Sequence, residues 1–176
     1  MCTILPIVFY LFLLLRFASL LISKHNEKRL KMLGATEYGQ RNSALLIIAH
    51  FVFYFACIAE GYTKGFFYCD ELSMLGAALM TFAMCILYTV IFSLGKFWTV
   101  KLFIAKKSGQ SLNRGLLFKV FKHPNYYLSI VPELIGLGLF LHASYSLIIG
   151  FPLYIILLAI RIKMEEHIMK QYFQNY

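Results

Sequence analysis

Acidic side chains are scarce in this 176-residue chain: 8 Asp and Glu stand against 17 Lys and Arg, a formal net charge of +9. In a soluble protein that surplus would raise the question of nucleic acid. No basic, aromatic-interleaved soluble module is present to bind one, so nucleic acid is not an expected partner. Cysteine is sparse too, and Cys2, Cys57, Cys69 and Cys85 show no CxxC or Cys/His spacing. Neither a metal centre nor a disulfide framework is therefore expected. Cys57 and Cys85 sit in apolar blocks and read as small hydrophobes. The serines show no hydrolase arrangement. The N-terminus lacks the basic region of a cleaved signal peptide, and its apolar run of about 20 residues has the length of a membrane span.

What the chain has is apolar length. Hydrophobic residues make up 60% of it and the mean hydropathy is +0.71, well above the roughly 45–50% apolar content of soluble domains. Residues 3–22, 43–62 and 72–94 form three blocks of span length. Residues 126–160 form a fourth block, too long for one crossing, and His142, Ala143 and Ser144 mark a reversal inside it. Placing the polar stretches 23–42 and 95–125 and the tail from Arg161 on one side collects there all but two of the 17 Lys and Arg. By the positive-inside rule that side is cytoplasmic, with the N-terminus outside. The expectation is an all-α, polytopic membrane helix bundle of about five transmembrane helices with a compact C-terminal helical hairpin. It forms a single integral membrane domain over residues 1–176, with three spans in 1–94 and a chemically richer half in 95–176.

The polar residues that matter lie at the cytoplasmic ends of the last two helices. Arg161 and Glu165 are four apart, so they share a helix face. A surface ion pair is the plain alternative, but ionisable groups closing a span usually turn toward the bundle or a polar cavity. His123 and Pro124 stand at a loop-to-helix junction. There Pro suits the first turn, and free backbone N–H groups can hold an anionic ligand. Glu133, beside Pro132 and inside a span, needs a partner or a proton. Arg16 is expected to face the bundle, with Glu133 a candidate partner. Trp98 and Lys101 read either as an interfacial aromatic and an anionic-lipid contact or as pocket residues. His50 and Glu60 read as local polar contacts.

Three stretches together resemble the isoprenylcysteine carboxyl methyltransferase family, related to the phospholipid methyltransferases. They are Lys122-His123-Pro124-Asn125-Tyr126-Tyr127, Arg161-Ile162-Lys163-Met164-Glu165-Glu166, and Leu94 to Lys101. The last is similar to the short bacterial branch, as are Gly34 to Asn42 and the pattern of Arg16, Ser23, Asn26 and Glu27. The family's Gly after the His-Pro-x-Tyr motif and its upstream Gly-Pro-Tyr are absent here, which argues against the namesake substrate rather than against the cofactor.

The resemblance implies an S-adenosylmethionine-dependent O-methyltransferase of the bacterial inner membrane. Its acceptor would be a lipophilic carboxylate or hydroxyl compound, isoprenylcysteine-like or alkylpyrone/alkylresorcinol-like, free or lipid-anchored, surrounded by membrane lipids. It implies Arg161 as the holder of the acceptor oxygen and Glu165 as its orienter or base. His123, Pro124, Tyr126, Glu133 and Glu166 would contact the cofactor, with Trp98 and Lys101 on the substrate side. A phospholipid N-methyltransferase, a membrane reductase using NADPH, and a non-enzymatic subunit or transporter are the competing readings.

Overall fold

The computed structural model describes residues 4–65, 67–104 and 125–172. Helix α1 (Ile4–Met32) leads into a three-residue strand, β1 (Thr36–Tyr38), and then into α2 (Gln40–Thr63). Helix α3 (Glu71–Leu94) follows a short loop, and the chain then passes through a 3-10 turn (Gly95–Phe97) into β2 (Leu102–Ile104). Helix α4 opens with a π-helical turn (Asn125–Ile130) and continues as Val131–Phe140. Helix α5 begins the same way (Ser146–Gly150) and continues as Phe151–Tyr172. β1 and β2 pair antiparallel, Glu37 opposite Phe103, and are the sole sheet among the described residues.

The distribution of side chains is that of a membrane protein. Arg161 and Glu133 are among the largest fully buried side chains, while Ile7, Leu14, Phe55, Phe92, Ile148 and Leu153 face outward. In water this would expose most of the apolar surface the fold needs to bury. In hydrocarbon it costs nothing, and it is the charges that must turn inward. Among the described residues four helices are long and apolar enough to cross a membrane: Ile4–Met32, Gln40–Thr63, Glu71–Phe97 and Ser146–Gln171. The fifth expected crossing corresponds to α4, with six residues in its π turn and ten beyond it. At 1.5 Å per residue its described residues span about 24 Å, against roughly 30 Å for the hydrocarbon core. Its neighbours enclose it, and Leu134, Leu137 and Phe140 are buried.

Small residues make that enclosure possible. A Cβ added to Gly76 of α3 would lie 2.4 Å from the Phe140 nitrogen and 2.7 Å from the Gly136 oxygen. The two backbones touch, the close approach that small residues allow in membrane bundles. Gly76→Ala is expected to force α3 and α4 apart at a cost of about 1–3 kcal/mol. Thermal unfolding of the purified protein in detergent measures it, and an unchanged midpoint would show that the helices can part freely.

Helix ends are fixed by specific contacts. Asp70 caps α3, accepting from the Ser73 amide at 2.9 Å. Gly39 turns the chain from β1 into α2 at a φ of 65°, where an L side chain is strained. A Cβ there would also strike Met164 of α5 at 2.2 Å. One difference from the sequence expectation concerns sulfur: Cys69, in the α2–α3 loop, is disulfide-bonded, whereas Cys57 and Cys85 are free. Spacing patterns cannot reveal a bridge of this kind, because pairing depends on which loops meet in space.

Candidate functional site

Three helices bring polar groups together at the end where α2 and α4 begin. Arg161 of α5 is 2% exposed and donates through Nη1 to Ser43 Oγ at 2.7 Å, and through Nε to Tyr126 OH at 3.2 Å. Tyr126 OH in turn donates to Glu165 Oε2 at 2.6 Å. The direct Arg161 Nε to Glu165 Oε2 distance is 4.0 Å, so Tyr126 bridges the pair that their four-residue spacing suggests. The result is a linked row, Ser43, Arg161, Tyr126 and Glu165. Beside it, Asn42 Oδ1, Asn125 Oδ1 and Ser129 Oγ are buried with no hydrogen-bond partner among the described residues. Buried polar atoms left unsatisfied are uncommon and point to a missing ligand or solvent. Two of them, Asn125 and Ser129, belong to the π turn that opens α4, an irregularity frequent at functional sites.

A second polar layer lies deeper. Glu133 is wholly buried, and its Oε1 accepts from Tyr54 OH and from Arg16 Nε, the latter at 3.1 Å. Arg16 Nη2 lies 3.2 Å from His50 Nε2, and His50 Nδ1 lies 3.2 Å from Tyr154 OH. Glu133 Oε2 has no partner among the described residues. This layer stands in register with the first. Ser43 and His50 on α2, Tyr126 and Glu133 on α4, and Tyr154 and Arg161 on α5 are each seven residues apart. Seven residues make nearly two turns, so each pair shares a face and the layers sit about 10 Å apart.

A cleft of about 510 Å³ opens between α1 and α2 beside the deeper layer. Leu46 and Ile130 line one end, and Tyr10 and Tyr54 belong to the other. Arg16, His50 and Tyr154 form its polar floor.

Trp98 and Lys101 belong to a different construction. Asn26 Nδ2 donates to the Gly95 and Trp98 carbonyls at 3.1 and 2.8 Å, and Ser23 Oγ accepts from the Val100 amide at 3.0 Å. The loop after α3 is thereby clamped onto α1, with Trp98 only 3% exposed. Lys101 Nζ lies 3.3 Å from Glu27 and 3.5 Å from Glu37. Partial burial lowers the Lys101 pKa, but the two carboxylates outweigh it and hold the ammonium above its ordinary value. Val100 between them does line the cleft. On the opposite face Glu60 accepts from the Tyr145 and Ser146 amides at 3.0 and 2.9 Å and caps α5. Asp70 there is held below the usual carboxylate range, chiefly by the Ser73 amide.

Of the residues singled out in the sequence, Arg161, Glu165 and Tyr126 meet, and Glu133 lies two turns deeper with Arg16. Glu166 is half-buried next to Glu165. His123 and Pro124 lie outside the described residues. Ser43, Tyr54 and Tyr154 were not singled out, and His50 joins the Arg16–Glu133 group rather than making only local contacts. The seven-residue spacing on three helices is the signal that could have revealed Ser43, His50 and Tyr154, whereas nothing in the spacing marks Tyr54. Among the described residues no group of three His, Cys, Asp or Glu side chains could hold a metal ion.

Comparison with known proteins bears on the whole chain. The model of the isoprenylcysteine carboxyl methyltransferase (ICMT) family matches residues 75–171, more than half of the sequence. A Haemophilus influenzae chain, described as an uncharacterized protein, is 46% identical over 167 residues, which is 95% of each chain. The uncharacterized protein YpbQ of Bacillus subtilis is 28% identical over 160 residues, covering 89% of this chain and 91% of its own. No solved structure matches. The matched segment runs from α3 through α5 and so contains Tyr126, Glu133, Arg161 and Glu165.

Proposed function

The chain belongs to the isoprenylcysteine carboxyl methyltransferase family, and from that premise we propose an S-adenosylmethionine-dependent O-methyltransferase acting on a lipophilic carboxylate or hydroxyl compound at the cytoplasmic membrane face. The observation that carries the reading is the row of Ser43, Arg161, Tyr126 and Glu165, the first two buried and the others half-buried, set beside unsatisfied polar atoms. Asn42, Asn125 and Ser129 have acceptor atoms without partners among the described residues, and a cofactor rich in amine and hydroxyl donors fits that deficit. His123, Pro124 and Tyr126 would hold it, with Glu133 on the deeper side of the row and Glu166 on the outer side. When bound, the cofactor supplies an electrophilic methyl group.

The protein's own contribution is orientation. Ser43 and Tyr126 engage Nη1 and Nε of Arg161, which fixes the guanidinium plane and leaves Nη2 to hold the acceptor oxygen in line. A carboxylate acceptor needs no base. For a phenolic or enolic hydroxyl, Glu165 accepts the proton, relayed through Tyr126 OH. Trp98 and Lys101 act at the substrate side through Val100, which they flank.

Two observations support the orientation, N-terminus out and C-terminus cytoplasmic. The Lys and Arg residues gather on the side of the Arg161 row. The disulfide-bonded Cys69 lies in a loop of the opposite side, and disulfides persist in oxidising compartments such as the periplasm.

Calorimetric titration of the detergent-purified protein with S-adenosylhomocysteine tests the reading. Binding is expected, with at least about a tenfold loss in His123→Ala, the equivalent of one hydrogen-bonded contact. Absence of binding at millimolar ligand would exclude a methyltransferase. Membranes incubated with methyl-labelled cofactor then separate the chemistries: label in a neutral ether or ester supports O-methylation, and label in phospholipid amines points to N-methylation instead.

A further inference from the structure

Apart from Glu133, the deeper polar layer has no part in the row around Arg161, yet Arg16, His50 and Tyr154 line a cleft between α1 and α2. Protonation states follow from geometry alone. Arg16 has only donors, so its Nη2 at 3.2 Å takes the lone pair of His50 Nε2, while Glu133 Oε1, 3.8 Å from the same nitrogen, is beyond hydrogen-bond distance. His50 is then neutral, its proton sits on Nδ1, and that N–H donates to Tyr154 OH at 3.2 Å. Tyr154 consequently keeps its own O–H, which has no acceptor among the described residues. Arg16 likewise uses Nε for Glu133 and Nη2 for His50, leaving N–H groups of Nη1 over. Both residues line the cleft.

Charge narrows what could bind there. Arg16 and Glu133 cancel, and His50 is neutral, so the layer carries no net charge. An anionic ligand would bring an uncompensated charge to the interior of a membrane bundle, at a cost of several kcal/mol. The cleft offers donors on its floor and apolar side chains such as Leu13, Leu14 and Phe51 elsewhere. Its inner end is close to the first layer: Leu46 lies three residues beyond Ser43, and Ile130 four beyond Tyr126.

We infer that this cleft is a second recognition point for the acceptor lipid, reading an uncharged oxygen acceptor, a ketone or ester carbonyl, within its chain. The inference rests on the methyltransferase reading for the identity of the occupant. The chain of the acceptor lies between α1 and α2 with its reactive oxygen at Arg161. Its carbonyl accepts from Tyr154 OH and Arg16, about two helical turns or 10 Å deeper. A plain alkyl chain fills the same space but leaves both donors unpaired, and the discrimination arises from that asymmetry.

The test uses the one tryptophan of the sequence, Trp98, two residues from the cleft-lining Val100. The full chain in lipid nanodiscs is loaded with a dibrominated octadecyl alcohol, which quenches Trp98 fluorescence. Octadecanol and its mid-chain keto analogues, with the carbonyl walked along the chain, are then used as competitors. The keto alcohol with its carbonyl about 10 Å from the hydroxyl should compete roughly tenfold better than octadecanol, the equivalent of one hydrogen bond. That ratio should fall to near one in Tyr154→Phe and persist in Tyr88→Phe, a tyrosine outside the cleft.

A ratio near one in the unaltered protein, no optimum along the keto series, or an undiminished ratio in Tyr154→Phe overturns the inference. The keto series needs no variant, so the test survives a poorly folded Tyr154→Phe. Because this competition contains no methyl donor, its failure leaves the methyltransferase reading standing. Failure of S-adenosylhomocysteine binding with the keto preference intact removes only that reading.

Discussion

Arg161→Lys should lower the rate of methyl transfer by about 10²–10³-fold, the effect of losing one preorganised donor at a reacting oxygen. Lysine keeps the charge but not the fork. The guanidinium reaches Ser43 and Tyr126 from two different nitrogens, and a single ammonium cannot hold both while presenting a third donor to the acceptor. The loss should fall on turnover, measured under single-turnover conditions with labelled cofactor. S-adenosylhomocysteine affinity should fall much less than turnover, because of the residues assigned to the cofactor only Tyr126 loses a partner. Activity within threefold of the unaltered protein would remove Arg161 from the site. A parallel loss of thermal stability would mark it as structural.

Glu133→Leu has the largest expected effect on stability, a loss of about 3–5 kcal/mol. The substitution leaves the Arg16 guanidinium buried without its counter-ion, and Tyr54 without its acceptor. Arg16→Met should be milder, since a carboxyl group can shed its charge by taking a proton and a guanidinium cannot. The double variant Arg16→Met/Glu133→Leu should recover most of what the single loses, and the double-mutant cycle isolates the pair. Thermal unfolding and yield from membranes both read it. Additive losses would show that the two side chains do not stabilise one another.

The spans were legible because each apolar block matches the bilayer in length, and the reversal at His142 because polar residues interrupt a run too long to cross once. Arg161 and Glu165 were legible because four residues bring two side chains onto one helix face. Ser43 was not, because it meets Arg161 from a helix 118 positions away in sequence, and hydropathy says nothing about how each helix is rotated about its axis. Tyr154, and the place of His50 beside Arg16, were hidden for the same reason. Lys101 reads as a lipid contact until β1 and β2 pair and bring Glu37 beside it. Strands three residues long carry too little alternation to be seen in a sequence.

The Arg16–Glu133 bond also sets a problem in time. Arg16 enters the membrane on the first helix to be synthesised, and its counter-ion sits on the fourth. At ribosomal rates of about 5–20 residues per second, the roughly 120 residues between them take on the order of ten seconds to make. Throughout that interval α1 holds an unneutralised cation among lipids, a burden of about 3 kcal/mol on biological insertion scales. The hydropathy of α1, 2.3 across its best window, is high enough to keep the helix in place while it waits. The apolar length of the first span therefore serves biogenesis as well as the finished bundle, holding Arg16 in the membrane until Glu133 arrives.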